Sequence, residues 1–245
     1  MKYFLFGIIF FTINFSFAQK ISNVDYDLIQ KEIKDSSSFY YYPRMIELFN
    51  NNISLTSEEY IFLYYGNVYY QNYNPYGYDS KDFKNLVREA KYQEAIPLGK
   101  ELLSVNPIDL DLLYNMLICY HYLDIKDTAK IYGSKYFTFI DVIISSGDGK
   151  SVKTAYVVNC VSDEYNVLRE LELKAKGQAL LSDGPTDLLY IDTKGQKKVK
   201  GQKKIKEVYF NISKYWDATT EMFKKEFKET EEKNNENKND TLKTE

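Results

Sequence analysis

The sequence has one histidine, two cysteines and one tryptophan in 245 residues. With only His121 available, multi-histidine metal sites are excluded, and a Ser/His triad or Cys/His dyad has a single candidate base. Cys119 lies two residues from His121 on an amphipathic stretch, a spacing that points the two side chains apart on a helix. Cys119 and Cys160 allow one disulfide at most; the alternative is that both are small buried hydrophobes. There is no excess of positive charge, since 32 basic against 35 acidic residues give a net charge of −3. Nothing therefore stands ready to hold nucleic acid by counterion release, and no nucleic-acid partner is expected. Beyond the N-terminus, no run approaches the roughly 20 apolar residues that span a bilayer.

What the chain does have is tyrosine, 24 residues of it. A Tyr-rich surface brings contact area and a polar tip at low entropic cost, as recognition surfaces do. Tyr, Asn, Lys and Ile are all plentiful, which codon bias explains equally well, so placement matters more than the total. The N-terminus reads Met1-Lys2, an apolar run from Tyr3 to Ile13, then Ser16-Phe17-Ala18 before Gln19. That is the pattern of a secretory signal peptide over 1–18, cleaved near Ala18, with a periplasmic or secreted product and no transmembrane segment in the mature chain. A composition 44% hydrophobic and 27% charged fits one folded domain, expected over 19–227. The charged stretch 228–245 is expected to be a disordered tail.

Apolar spacing predicts short helices over 23–34 and, behind Pro43, over Tyr42 to Asn50. Thr56 and Glu59 have capping-box spacing, with Leu55 and Tyr60 placed as its hydrophobic staple, so a helix should start at Thr56 and run to about Gln71. Turn residues from Asn72 to Asp79 should end it. Ala90, Tyr92, Ala95, Gly99, Leu102, Leu103 and Pro107 resemble the second helix of a tetratricopeptide repeat, and Ala129 follows Ala95 by the repeat's 34 residues. Pro97 and Gly99 depart from that pattern, and barely two units need support from elsewhere. After a turn-rich break at 145–150, the runs Ala179 to Leu181, Leu188 to Asp192 and Lys204 to Ile212 have strand character. The predicted class is α+β, mainly α: degenerate tetratricopeptide-like helical hairpins over about 21–144, followed by a small antiparallel β-meander within a mixed part over about 145–227.

Several elements occur in a characteristic order: Tyr42-Pro43, Leu55-Thr56-x-x-Glu59-Tyr60, Leu63-Tyr64-Tyr65-Gly66, Tyr73-x-Pro75-Tyr76, Ser146-Gly147-Asp148-Gly149, Asp163-Glu164-Tyr165 and Tyr209-Phe210-Asn211. As a set they resemble the bacterial secreted proteins catalogued as domain of unknown function 4919, over about Ile21 to Phe223. The resemblance implies compartment and single-domain architecture and carries no activity with it.

Four constellations bear on function. If the hairpins pack as tetratricopeptide repeats do, Tyr60, Tyr64, Asn67, Tyr70, Asp111, Tyr114, Asn115, Ile118, His121 and Tyr122 face a groove suited to a peptide, protein or envelope glycan; alternatively the sheet fills it. Asp148, Asp163 and Glu164 could form a carboxylate site for envelope-polymer hydrolysis, or be a helix start and a solvated face. Gly147-Asp148-Gly149-Lys150-Ser151 lacks the earlier glycine of a phosphate loop, which favours a tight turn. The duplicated hexapeptide Gly195 to Lys200 and Gly201 to Lys206 puts seven lysines in 194–206, a patch for anionic surfaces or simply a lengthened hairpin loop. No cofactor or metal site is read from the sequence, and an interaction module is favoured over an enzyme.

Overall fold

The computed structural model describes residues 24–182, 184–197 and 203–241, the stretch 229–241 by its backbone alone. The expected signal peptide lies outside these residues. The chain begins with helices α1 (Tyr26–Lys34), α2 (Tyr42–Asn50) and α3 (Ser57–Gly66). The capping box at α3 forms as its spacing predicts: Glu59 N donates to Thr56 Oγ1 at 3.2 Å, and Thr56 N donates to Glu59 Oε2 at 2.9 Å. A single 3₁₀ turn over Asn67–Tyr69 then ends the helix short of Gln71.

Two helical hairpins follow, α4 (Lys81–Arg88) with α5 (Tyr92–Val105), and α6 (Leu110–Tyr122) with α7 (Lys126–Ser145). Helix α5 continues through Pro97. The 34-residue phase reappears in the turns, since Ala90 and Asp124 close the first helix of each hairpin at φ 58° and 56°. Each is followed by the long bond of a Schellman cap, Lys91 N to Leu86 O and Ile125 N to Tyr120 O, both 2.9 Å. Asn52 and Glu172, also at positive φ, end two further helices in the same way. Four helix ends thus use non-glycine residues in the left-handed region.

The C-terminal part contains β1 (Tyr156–Val157), α8 (Val161–Glu170), β2 (Ala175–Leu180), β3 (Thr186–Ile191), β4 (Glu207–Asn211) and α9 (Ser213–Thr241). Strands β2, β3 and β4 form the antiparallel meander, with Leu188 opposite Tyr209 and Leu189 opposite Val208. The sheet is mixed rather than purely antiparallel, because β1 adds to β4 in parallel, Tyr156 opposite Phe210. Two residues carry too little periodicity to be read as a strand. The charged tail expected to be disordered from Lys228 continues α9 as far as Thr241; its Glu and Lys content favours helix. The β3–β4 connection holds the lysine-rich stretch, whose residues 198–202 lie outside the described ones. Its base is clasped by Gln196, which donates to Ile205 O at 2.5 Å and accepts from Ile205 N at 2.9 Å.

One core joins α1–α3, α6–α8 and the sheet through Met45, Leu63, Phe139, Ile143, Val158, Leu189 and Phe210. A smaller core lies within the hairpins, around Phe83, Ala95, Leu112, Met116 and Cys119. Gly147 sits where the loop after α7 crosses the chain entering β1. A Cβ there would meet Ala155 O at 2.3 Å, so only glycine permits the crossing.

The left-handed cap residues yield a direct expectation. Ala90 is exposed and bears a Cβ in a conformation that costs about 1 kcal/mol. Ala90→Gly is expected to raise the thermal unfolding midpoint by roughly 2–4 °C in differential scanning calorimetry; an unchanged or lower midpoint would show that the cap is unstrained.

Candidate functional site

The carboxylates expected as a catalytic group do not converge. Asp148 lies in the loop after α7, paired with Lys150 Nζ at 2.9 Å; partial burial raises its carboxyl, but hydrogen bonds from Thr154 and Lys150 and the Lys150 charge together outweigh that and hold it below the usual range. Asp163 and Glu164 occupy the first turn of α8 and point to different neighbours. Asp163 accepts a 2.5 Å hydrogen bond from the Tyr64 hydroxyl of α3. Burial pushes its carboxyl up to about 7 against the lowering effect of that bond. Glu164 is fully buried with its carboxyl beside that of Asp187 on β3, to which it donates a side-chain hydrogen bond when protonated. Burial pushes it up to about 9, with repulsion from Asp187 on β3 and from Asp163 adding to the effect.

Around Asp163 the chain builds a polar junction. Asn159 N donates to the Tyr64 hydroxyl at 3.2 Å, Asn159 Nδ2 donates to Tyr64 O at 2.5 Å, and the Tyr73 hydroxyl donates to Asn159 O at 2.6 Å. The cavity these residues share with Asp109 and Cys160 measures about 40 Å³. That holds a water molecule and excludes a sugar ring. Cys119 and Cys160 are both free thiols. Burial pushes the Cys160 thiol well above its ordinary value, and Asp163 raises it further, so it is a poor nucleophile.

The tyrosines expected to line a groove are divided among three environments. Tyr60 packs edge-on against Phe49 and Phe139, and Tyr64 is 1% exposed. Asn67 accepts from the Tyr42 hydroxyl at 2.9 Å, and Tyr70 lies against the Tyr42 ring. Tyr114 packs on Tyr136 beneath the Arg169 guanidinium, while Asn115 bonds back to Asp111 O. Ile118 is half-buried, and Tyr122 stacks openly on Tyr92. The physical reason is that α7 packs on α3 and α8 packs on α6, covering the faces that a free repeat array would leave open.

Of that set, His121 alone borders an open apolar groove. It runs along the outer side of the α6–α7 hairpin, has a volume of about 450 Å³, and is floored by Leu117, Ala129, Gly133 and Phe137. Its rim carries Asp124, Lys126 and Lys130. The equivalent face one hairpin earlier, 34 residues back at Ala95 and Gly99, is covered by α6. A Cβ at Gly99 would meet Met116 Sδ at 2.4 Å, whereas one at Gly133 would meet only Leu117 and Phe137 of its own hairpin. Repeat phase was the sequence signal that could have found this groove, applied to Gly99 and Gly133 rather than to the first helices.

Fold and site together define a helical-hairpin protein with a small mixed sheet, an inward-turned acidic junction and an open groove on its last hairpin. The model of the family described as Domain of unknown function (DUF4919) matches residues 27–221, and the chain belongs to that family. Neither a curated protein nor a solved structure matches it.

The junction leads to two expectations. Asp163 and Glu164 hold protons in the folded chain that the unfolded chain releases above about pH 4–5. Their stabilising contribution is therefore complete below that range and is lost as pH rises through about 7 and then about 9. The urea midpoint should fall from pH 5 to 9, and Glu164→Gln should remove the fall between pH 7 and 9; parallel curves for the two proteins would refute the assignment. Tyr64→Phe removes the hydroxyl that donates to Asp163 and should cost about 1–3 kcal/mol in urea unfolding at pH 7. A cost near zero would mean that the bond has no net worth.

Proposed function

We propose that the protein is an exported, non-enzymatic binding module that engages a protein partner in the groove between α6 and α7. Export rests on the signal-peptide pattern of residues 1–18. The observation that carries the binding reading is the apolar floor at Leu117, Ala129, Gly133 and Phe137, open where the preceding hairpin packs a helix on the same positions. Gly133 and Ala129 are buried at the base of that floor and Phe137 stands exposed beside them, an apolar face that suits an amphipathic helical segment of the partner. A hydrolase working through Asp148, Asp163 or Glu164 would need a substrate-sized opening beside a carboxylate of raised pKa, and the 40 Å³ space at Asp163 is too small for one.

The test uses the mature chain with a photo-crosslinking residue at Ser134, on the groove, or at Lys31, exposed on α1. In envelope extract a discrete adduct should form from position 134 and not from 31. Gly133→Leu fills the groove, and its thermal midpoint and circular dichroism check that the variant is folded. That variant should form at least tenfold less adduct. An adduct unchanged in the filled variant would exclude the groove as the contact surface.

A further inference from the structure

Helix α7 has a second working face. Residues 130, 133, 134 and 137 form one helical stripe along the groove described above, while 128, 131, 132 and 135 form the opposite stripe and border a different cavity. This second cavity lies between the end of α2 and helices α5, α6 and α7, and its volume is about 620 Å³. That is within the 300–1,000 Å³ typical of sites for small molecules.

Its charge is one-sided. Lys135 is half-buried with its ammonium 4.2 Å from the centroid of the Phe49 ring, and it pairs with no carboxylate among the described residues. Burial alone pulls its pKa down to about 8, with no acidic neighbour to raise it. Lys100 of α5 stands exposed on the same lining, also without an ion pair among the described residues. A half-buried cation facing a cavity with no protein anion to answer it is the arrangement in which a ligand supplies the anion. The remaining lining specifies what surrounds that anion. Asn52, Ser104 and Thr128 offer amide and hydroxyl groups, and Tyr132, stacked on Tyr120 at 5.5 Å, offers an apolar ring wall. No arginine lies on the lining. Lysines act as point charges that serve a carboxylate or a phosphate alike, without the planar fork that reads either one bidentately. Acetate alone would leave most of 620 Å³ unfilled; a hydroxylated ring fills a larger part of it and meets the amides and hydroxyls.

We propose that this cavity binds a carboxylate-bearing sugar, with Lys135 as counter-charge to the carboxylate and Lys100, Asn52, Ser104 and Thr128 meeting its hydroxyl groups. The site is independent of the α6–α7 groove, because the two draw on different stripes of α7, and Gly133→Leu should leave it intact.

The experiment is a titration of the ¹⁵N-labelled mature chain at pH 7 with sodium glucuronate, glucose, sodium acetate or inorganic phosphate. Glucuronate should shift amide signals of residues 50–52 and 131–135 and bind at least tenfold more tightly than glucose or acetate. Lys135→Met, which keeps the length and apolar stem of the side chain, should weaken glucuronate at least tenfold while leaving the rest of the spectrum in place. Lys100→Met, at an exposed position, should weaken it by a smaller factor. Glucose binding as well as glucuronate would overturn the role of Lys135. Phosphate or acetate binding as tightly as glucuronate would make the cavity a simple anion site and overturn the sugar assignment. Absence of shifts at 50–52 and 131–135 with 20 mM glucuronate would overturn the proposal altogether.

Discussion

The buried hydrogen bond from the Tyr64 hydroxyl to Asp163 is the contact on which the architecture turns. It joins α3 to α8 across 99 residues of sequence. The same hydroxyl accepts from Asn159 N, and Asn159 in turn holds the carbonyl of Tyr64. Tyr65 and Tyr73 add hydroxyl bonds to the carbonyls of Val157 and Asn159. The segment from β1 into α8 is thereby fastened to the N-terminal helices. Strand β1 can then offer its free edge to β4, and the sheet hangs from that edge. Two short hairpins cannot bury enough surface to stand alone; here they lean on a sheet that these tyrosines fix in position.

This arrangement decides what the acidic residues can do. Asp163 and Glu164 are buried at the junction of α8, α3 and β3, where their neighbours are Tyr64 and Asp187. Raised pKa values alone would suggest an active site. Here their chief cause is burial, and the space beside Asp163 measures about 40 Å³. Open cavities border both stripes of α7, one beside Gly133 and the other beside Lys135. One helix of 20 residues thus serves both, since a period of 3.6 separates them without further secondary structure.

Much of the helical part was legible in the sequence because its signals are local. The Thr56–Glu59 capping box, Pro43 at the start of α2, and the apolar spacing of α1, α5 and α6 depend on neighbours within one or two turns. The motifs that marked the family were legible as letters, yet their purpose was not. Tyr64, Tyr73, Gly147 and Asp163 look unrelated along the chain, and the structure brings three of them to one junction and sets the fourth at the loop crossing beside β1. Strand β1 and the parallel pairing escaped because two residues carry no period. The sequence left open whether the tyrosines line a groove or are covered, because what lies over a helix face is set by distant segments, here α7 and α8.

The sequence by itself determined α1, α2, the capped start of α3, the repeat phase of the hairpins, the approximate meander strands, the family and the scarcity of histidine and cysteine that removes whole classes of chemistry. These follow from spacing, propensity and residue counts, which act over a few residues or none. Only the tertiary structure decided which tyrosines are core, that the acidic pair faces inward, and that Lys135 stands without a carboxylate partner among the described residues. Burial and charge compensation are properties of a residue's surroundings, and those surroundings come from chain segments up to a hundred positions away.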